Sequence, residues 1–118
     1  MRKALLGIAA LLLMTSLGHA NETGTVRFAY GQYGAHAGHP GHTFFHLEGG
    51  TRVNKPGCGS ADGGERWVIN NAWPAAKLQL TVLLAAAFTG KRVQVLGTSD
   101  CGVWGDTETV LMVHVVPD

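Results

Sequence analysis

The sequence has little charge. Of its 118 residues only 14% are Asp, Glu, Lys or Arg, and the formal net charge is +1. Binding to nucleic acid through its phosphates runs on a surplus of Lys and Arg, and that surplus is missing. Cysteine is scarce as well. Cys58 and Cys101 are the whole supply, with no C-x-x-C spacing of the kind that holds a metal or does redox work. There is no G-x-S-x-G nucleophile turn, and Gly57-x-Gly59 opens no helix, so no nucleotide-binding fingerprint is present. No apolar run reaches the roughly 20 residues that a membrane-spanning helix needs. What remains is a chain with 46% hydrophobic residues, too apolar for a disordered tail and long enough for one domain.

The first twenty residues read as a secretory signal peptide. Arg2 and Lys3 give a basic start, residues 5–14 are almost purely apolar, and Gly18-His19-Ala20 supplies the small side chains that signal peptidase requires. Cleavage after Ala20 leaves residues 21–118 as a single domain with seven basic and eight acidic residues. The expected location is therefore outside the cytoplasm, periplasmic or secreted, with no membrane insertion after cleavage. In an exported chain an even, small cysteine count implies one disulfide. Cys58 and Cys101 stand 43 positions apart, and a small domain with a thin core gains from such a staple.

Hydrophobic periodicity predicts five strands and one helix. Residues 25–33 alternate, with Val26, Phe28 and Tyr30 on one face. Residues 43–48 alternate around Phe45 and Leu47, and residues 66–70 form a short strand around Trp67 and Ile69. Pro74 and Gly90 bracket an Ala/Leu-rich stretch read as a helix over roughly 73–89. Residues 92–97 and 107–116 are two further strands. The order β-β-β-α-β-β, with the helix between the third and fourth strands, predicts a small, mainly β barrel of OB type.

At 100° per residue the helix shows two apolar stripes. Leu80, Leu83, Leu84, Ala87 and Phe88 form one, and Leu78, Val82, Ala85 and Ala86 the other. Gln79 marks the seam on one side, and Lys77 and Thr81 the seam on the other. A barrel this small covers one stripe, so the second predicts contact with another subunit and a homo-oligomer.

The C-terminal half carries a resemblance. Gly90-Lys91-Arg92-Val93 followed by Gly97-Thr98-x-x-Cys101-x-x-Trp104-Gly105-Asp106-x-Glu108, with Cys58 and the strand Arg66 to Ile69 upstream, resembles a family of small exported bacterial proteins with a GKxV…GTxxCxxWxDxE pattern. The predicted shape is similar to the OB-fold binding subunits of pentameric bacterial toxins, which bind host glycans. By fold analogy the resemblance implies a binding module.

Two residue groups could carry chemistry. His36, His39 and His42 are spaced H-x-x-H-x-x-H in a glycine-rich loop. Neutral imidazole is a common ligand for zinc, copper and nickel, so these three are the candidate metal ligands. His46 lies roughly 13 Å further along a straight strand and is left out. Trp104, Asp106 and Glu108 are the candidate ligand-binding residues. A Trp ring packs on the apolar face of a sugar while carboxylates take its hydroxyls, and Trp67 and Trp73 would extend that surface. The same residues admit another reading, with Trp104 closing the end of the barrel and Asp106 capping a turn. Asp106 and Glu108 are about 6.6 Å apart along a strand, but no cleft accompanies them, and no catalytic residue is assigned. The expectation is a non-catalytic, self-associating binding module for a glycan or a partner protein. The alternative is a periplasmic metal-binding protein.

Overall fold

The computed structural model describes residues 20–28 and 41–117. Its elements are β1 (Asn21–Arg27), β2 (His42–Glu48), a short 3-10 turn (Ala61–Gly64), β3 (Arg66–Asn70), α1 (Ala76–Thr89), β4 (Arg92–Gly97) and β5 (Glu108–Val115). The sheet closes into a barrel in the order β1-β2-β3-β5-β4. Neighbouring strands are antiparallel except β3 and β5, which run parallel. This is the five-stranded OB arrangement that the element order predicts. His36 and His39 fall outside the described residues.

Alternation along the strands builds the core. Phe45, Leu47, Trp67, Ile69, Val93, Val95 and Val110 point inward and are at most 4% exposed. β1 spans Asn21–Arg27, starting four residues before the expected 25–33, and it pairs with both β2 and β4; residues 29–33 of the expected strand fall outside the described residues. The stretch Asn21-Glu22-Thr23-Gly24 has no apolar period, so nothing in it reads as strand. Its inward positions are Glu22 and Gly24, and the barrel accepts them because a buried partner and a close backbone approach await each. A Cβ on Gly24 would collide with the Glu48 carbonyl.

The parallel pairing of β3 with β5 is short, two residues on each strand, Trp67 with Glu108 and Val68 with Thr109. α1 packs mainly against β1 and β5, with further contacts to β3 and β4. The helix begins at Ala76, three residues later than expected. Asn70 and Trp73 carbonyls first accept bonds from Trp73 and Ala76 N–H groups, which spends the Trp73-Pro74-Ala75 stretch on turns. It ends at Gly90, whose φ of 70° suits a residue without a Cβ and whose N–H bonds back to the Ala86 carbonyl.

The buried arc of α1 is neither of the two predicted stripes. It consists of Ala76, Gln79, Leu83 and Ala86, running through the Gln79 seam and borrowing one edge from each stripe. The register of β4 and β5 slips between Leu96 and Gly97. Val110 faces Gly97 and Met112 faces Leu96, leaving Leu111 as an extra residue. Gln79 Nε2 donates to the bulged Leu111 carbonyl at 3.1 Å. A buried amide thus serves a backbone group that the sheet ladder skips. The consequence is that Leu78, Leu84 and Phe88 all remain exposed.

Cys58 and Cys101 form a disulfide that joins the loop before β3 to the loop between β4 and β5. It closes 43 residues, a loop worth about 4 kcal/mol in the chain-entropy treatment. Replacing both cysteines by serine is expected to lower the unfolding free energy by up to about 4 kcal/mol, read as a fall in the urea midpoint at unchanged slope. An unaltered midpoint would show that the two loops are held without the cross-link.

Candidate functional site

The outer face of β2 carries His42, Phe44 and His46, and the outer face of β3 carries Arg66 and Val68. The register places Phe44 opposite Val68 and His46 opposite Arg66. An outward phenylalanine would ordinarily be exposed, yet Phe44 is 1% exposed. The loop between β4 and β5 folds over it. Trp104 meets Phe44 edge-on with ring centroids 5.2 Å apart and His42 at 5.3 Å, the T-shaped geometry that aromatic quadrupoles favour. The Arg66 guanidinium lies 4.6 Å above the Phe44 ring.

Arg66 also orients the acidic part of this face. It donates to Asp106 Oδ1 at 2.8 Å and through Nε to the Thr107 hydroxyl at 2.9 Å. The Asp106 side chain is 53% exposed, so much of its carboxylate faces solvent. At the other end of β2, His46 Nε2 sits 3.0 Å from Asp62 Oδ2. Asp62 holds a left-handed φ of 54°, a conformation that Asp tolerates better than most residues, and that turn presents its carboxylate to the strand. His42, Trp104, Arg66, Asp106, His46 and Asp62 thus share one face, framed by two loops that a disulfide ties together.

Glu108 does not belong to it. The expectation of a third ligand-binding side chain is corrected here, because Glu108 points into the barrel and is 0% exposed. One carboxylate oxygen accepts from Arg52 at 2.7 Å and the other from the Ser99 backbone N–H at 2.9 Å. Arg52 lies 3.8 Å above the Trp67 ring and also donates to the Gly64 and Arg66 carbonyls. Trp67 Nε1 in turn donates to Glu22 at 2.8 Å. Trp67 is therefore the centre of a buried polar chain, not an extension of a surface. A Cβ on Gly97 would collide with the Glu108 carboxylate, which fixes that position as glycine.

The Asp106–Glu108 spacing fails as an acid pair for the same reason. Asp106 sits in the turn before β5 and faces solvent, while Glu108 is enclosed. Of the three candidate metal ligands only His42 is described, and its ring packs edge-on against Phe44 and Trp104. Among the described residues no group of three or more His, Cys, Asp or Glu is arranged to hold a metal ion, and no helix is long and apolar enough to cross a membrane. The residues that sequence reasoning missed are Arg52, Arg66, Asp62 and Glu22. Only Arg66, alternating with Val68 on a predicted strand, carried a signal for the outer face. No protein-family model matches the chain, and no curated protein or solved structure does so either.

Burial pushes the Glu22 carboxyl above its ordinary value of 4.5, against the opposing pull of the Trp67 hydrogen bond and the Arg52 charge. The folded barrel thus holds that proton more tightly than the unfolded chain does. The destabilisation from this group is complete above the raised value and is relieved as pH falls through it towards 4.5. Glu22→Gln, which keeps an acceptor for Trp67, is expected to be more stable than the wild type at neutral pH. The gap in urea midpoints should close as the pH is lowered, and a gap independent of pH would refute the burial argument. For the ion pair, Arg52→Met alone should cost about 3–5 kcal/mol by leaving Glu108 buried and uncompensated. The double variant with Glu108→Leu should recover part of that loss in chemical denaturation. A double variant worse than the sum of the two singles would mean that the pair is not the unit of stability.

Proposed function

We propose that the protein is an exported, non-catalytic binding module that takes a glycan on the β2–β3 face and self-associates. The observation that carries the reading is Trp104. It is partly exposed, lies two residues from the half-exposed carboxylate of Asp106, and is in ring contact with Phe44 and His42, with Arg66 over the Phe44 ring. A partly exposed indole keeps area for the apolar face of a sugar, and a carboxylate next to it accepts from sugar hydroxyls. OB barrels bind oligosaccharides and oligonucleotides with strands 2 and 3 and the loops that follow strands 1 and 4. Here the described part of that surface is β2, β3 and the loop between β4 and β5 that carries Trp104. The balanced net charge favours a neutral sugar over a nucleic acid. The disulfide is compatible with an oxidising compartment, in keeping with the leader read in residues 1–20. Glu108 is enclosed and committed to Arg52, so it does not face Asp106 as the second acid of a hydrolytic pair, in keeping with a binding role.

Purified oxidised protein screened on a glycan array is expected to select a narrow set of sugars. Asp106→Asn should weaken that binding at least tenfold, and Trp104→Ala should abolish it, with the disulfide and far-ultraviolet spectrum intact. A blank array, or unaltered binding in Asp106→Asn and Trp104→Phe alike, would overturn the glycan reading. Trp104→Phe separates binding from folding, because it keeps an aromatic edge over Phe44.

A further inference from the structure

The helix carries an unfilled groove on one side and an unsupported aromatic ring on another. The groove lies between α1 and the part of β5 that β3 does not pair. It is lined by Ala75, Leu78, Gln79, Val82, Leu111 and Met112, with Val113, and has a volume of about 190 Å³. Its origin is the buried arc through Gln79. Because that arc splits the two apolar stripes, Leu78 and the partly buried Val82 line the groove beside β5, and the bulge at Leu111 adds another apolar side chain to the rim. Leu78 is 71% exposed, and Leu111 and Met112 are 43% and 44% exposed.

Phe88 sits near the C-terminal end of the same helix and is 87% exposed. Single exposed aliphatic residues are ordinary, but an almost bare phenylalanine on a chain with an empty apolar groove is not. The dimensions agree. A cavity of about 150 Å³ lined by apolar side chains takes up benzene, and the groove is slightly larger than that. The positions exclude an internal fit. At 100° per residue, Phe88 projects about 100° around the helix axis from the side that Leu78 and Val82 give to the groove, and at least two turns of rise separate Phe88 from Leu78.

Resting on the self-association reading above, we propose that Phe88 of one copy fills the groove between Leu78, Val82, Leu111 and Met112 of a second copy. Ring and groove lie on different faces, so the contact is head-to-tail. Each copy that receives a ring still presents its own, so the assembly grows beyond a pair, and a head-to-tail contact whose rotation closes gives a ring of subunits. The chain therefore supplies both halves of its interface, and no other partner is needed to cover either.

Two surface variants separate the halves. Phe88→Ala keeps the groove and loses the ring. Leu78→Glu keeps the ring and places a charge in the groove, at a solvent-exposed position where glutamate is a good helix former. Sedimentation velocity and native mass spectrometry of the oxidised protein are expected to show a closed oligomer for the wild type. Each variant alone should be monomeric, with association at least tenfold weaker. Mixed together, the two should form a one-to-one pair that grows no further, because only one competent ring and one competent groove remain. If the wild type assembles and both variants assemble equally well, the ring-in-groove contact is overturned while self-association stands. If the wild type is monomeric at every concentration tested, self-association itself is overturned, and this contact with it.

Discussion

The rest of the structure depends on a buried cation resting on a tryptophan. Arg52 is 8% exposed along its side chain, lies flat on Trp67 and ion-pairs with the wholly buried Glu108. Three parts of the chain meet there: the loop before β3, β3 itself and the start of β5. Taking two charges out of water is expensive, and the attraction between them compensates only when the remaining donors and acceptors are satisfied. Here the guanidinium reaches two backbone carbonyls and the carboxylate takes the Ser99 N–H. That last bond anchors the base of the loop that carries Trp104. The disulfide anchors its middle, and Arg66 holds its far end through Asp106 and Thr107. A glycine-rich surface loop is thereby fixed at three points, and its tryptophan gains a defined place over Phe44.

Legibility in the sequence followed how local the determining forces are. α1 and β2 through β5 were readable because their apolar periods and breakers lie within a few residues, and Cys58 and Cys101 paired because no other cysteine exists. β1 was misplaced towards its C-terminal end. Its inward residues are Glu22 and Gly24, and what makes them acceptable, the Trp67 indole N–H and the Glu48 carbonyl, is supplied from distant parts of the chain. The same cause defeated the prediction of the helix face. Gln79 looks like a polar seam until the bulge at Leu111 creates a carbonyl for it to satisfy. Glu108 looked like a surface acid beside Asp106. Only the long-range pairing with Arg52, 56 positions earlier in the chain, turns it inward. Trp104 and Asp106 could be singled out because they lie two residues apart, whereas the aromatic and basic groups around them, Phe44 and Arg66, come from strands on which single residues carried little signal.

The two surfaces singled out differ in how they were left open. The Trp104 face is braced, with neighbouring rings, an ion pair and a cross-link around a partly exposed ring, and for the glycan proposed above that lowers the ordering cost of binding. The helix face is open by frustration. A helix apolar on two sides, rotated so that its only buried amide can reach the bulge, cannot bury both. Rigidity suits one surface to a small polar ligand, and unsatisfied apolar area suits the other to a protein surface.

The sheet also bears on the order of events in the chain's life. Ala20 is wholly buried, and its carbonyl accepts a 2.8 Å bond from the Gly97 N–H. The next residue, Asn21, is already paired with Leu96 on one side and Val53 on the other. A protease that cuts after Ala20 needs that segment extended and free, which the closed barrel does not offer. If the leader read in residues 1–20 is removed at this bond, the cut belongs before the barrel closes.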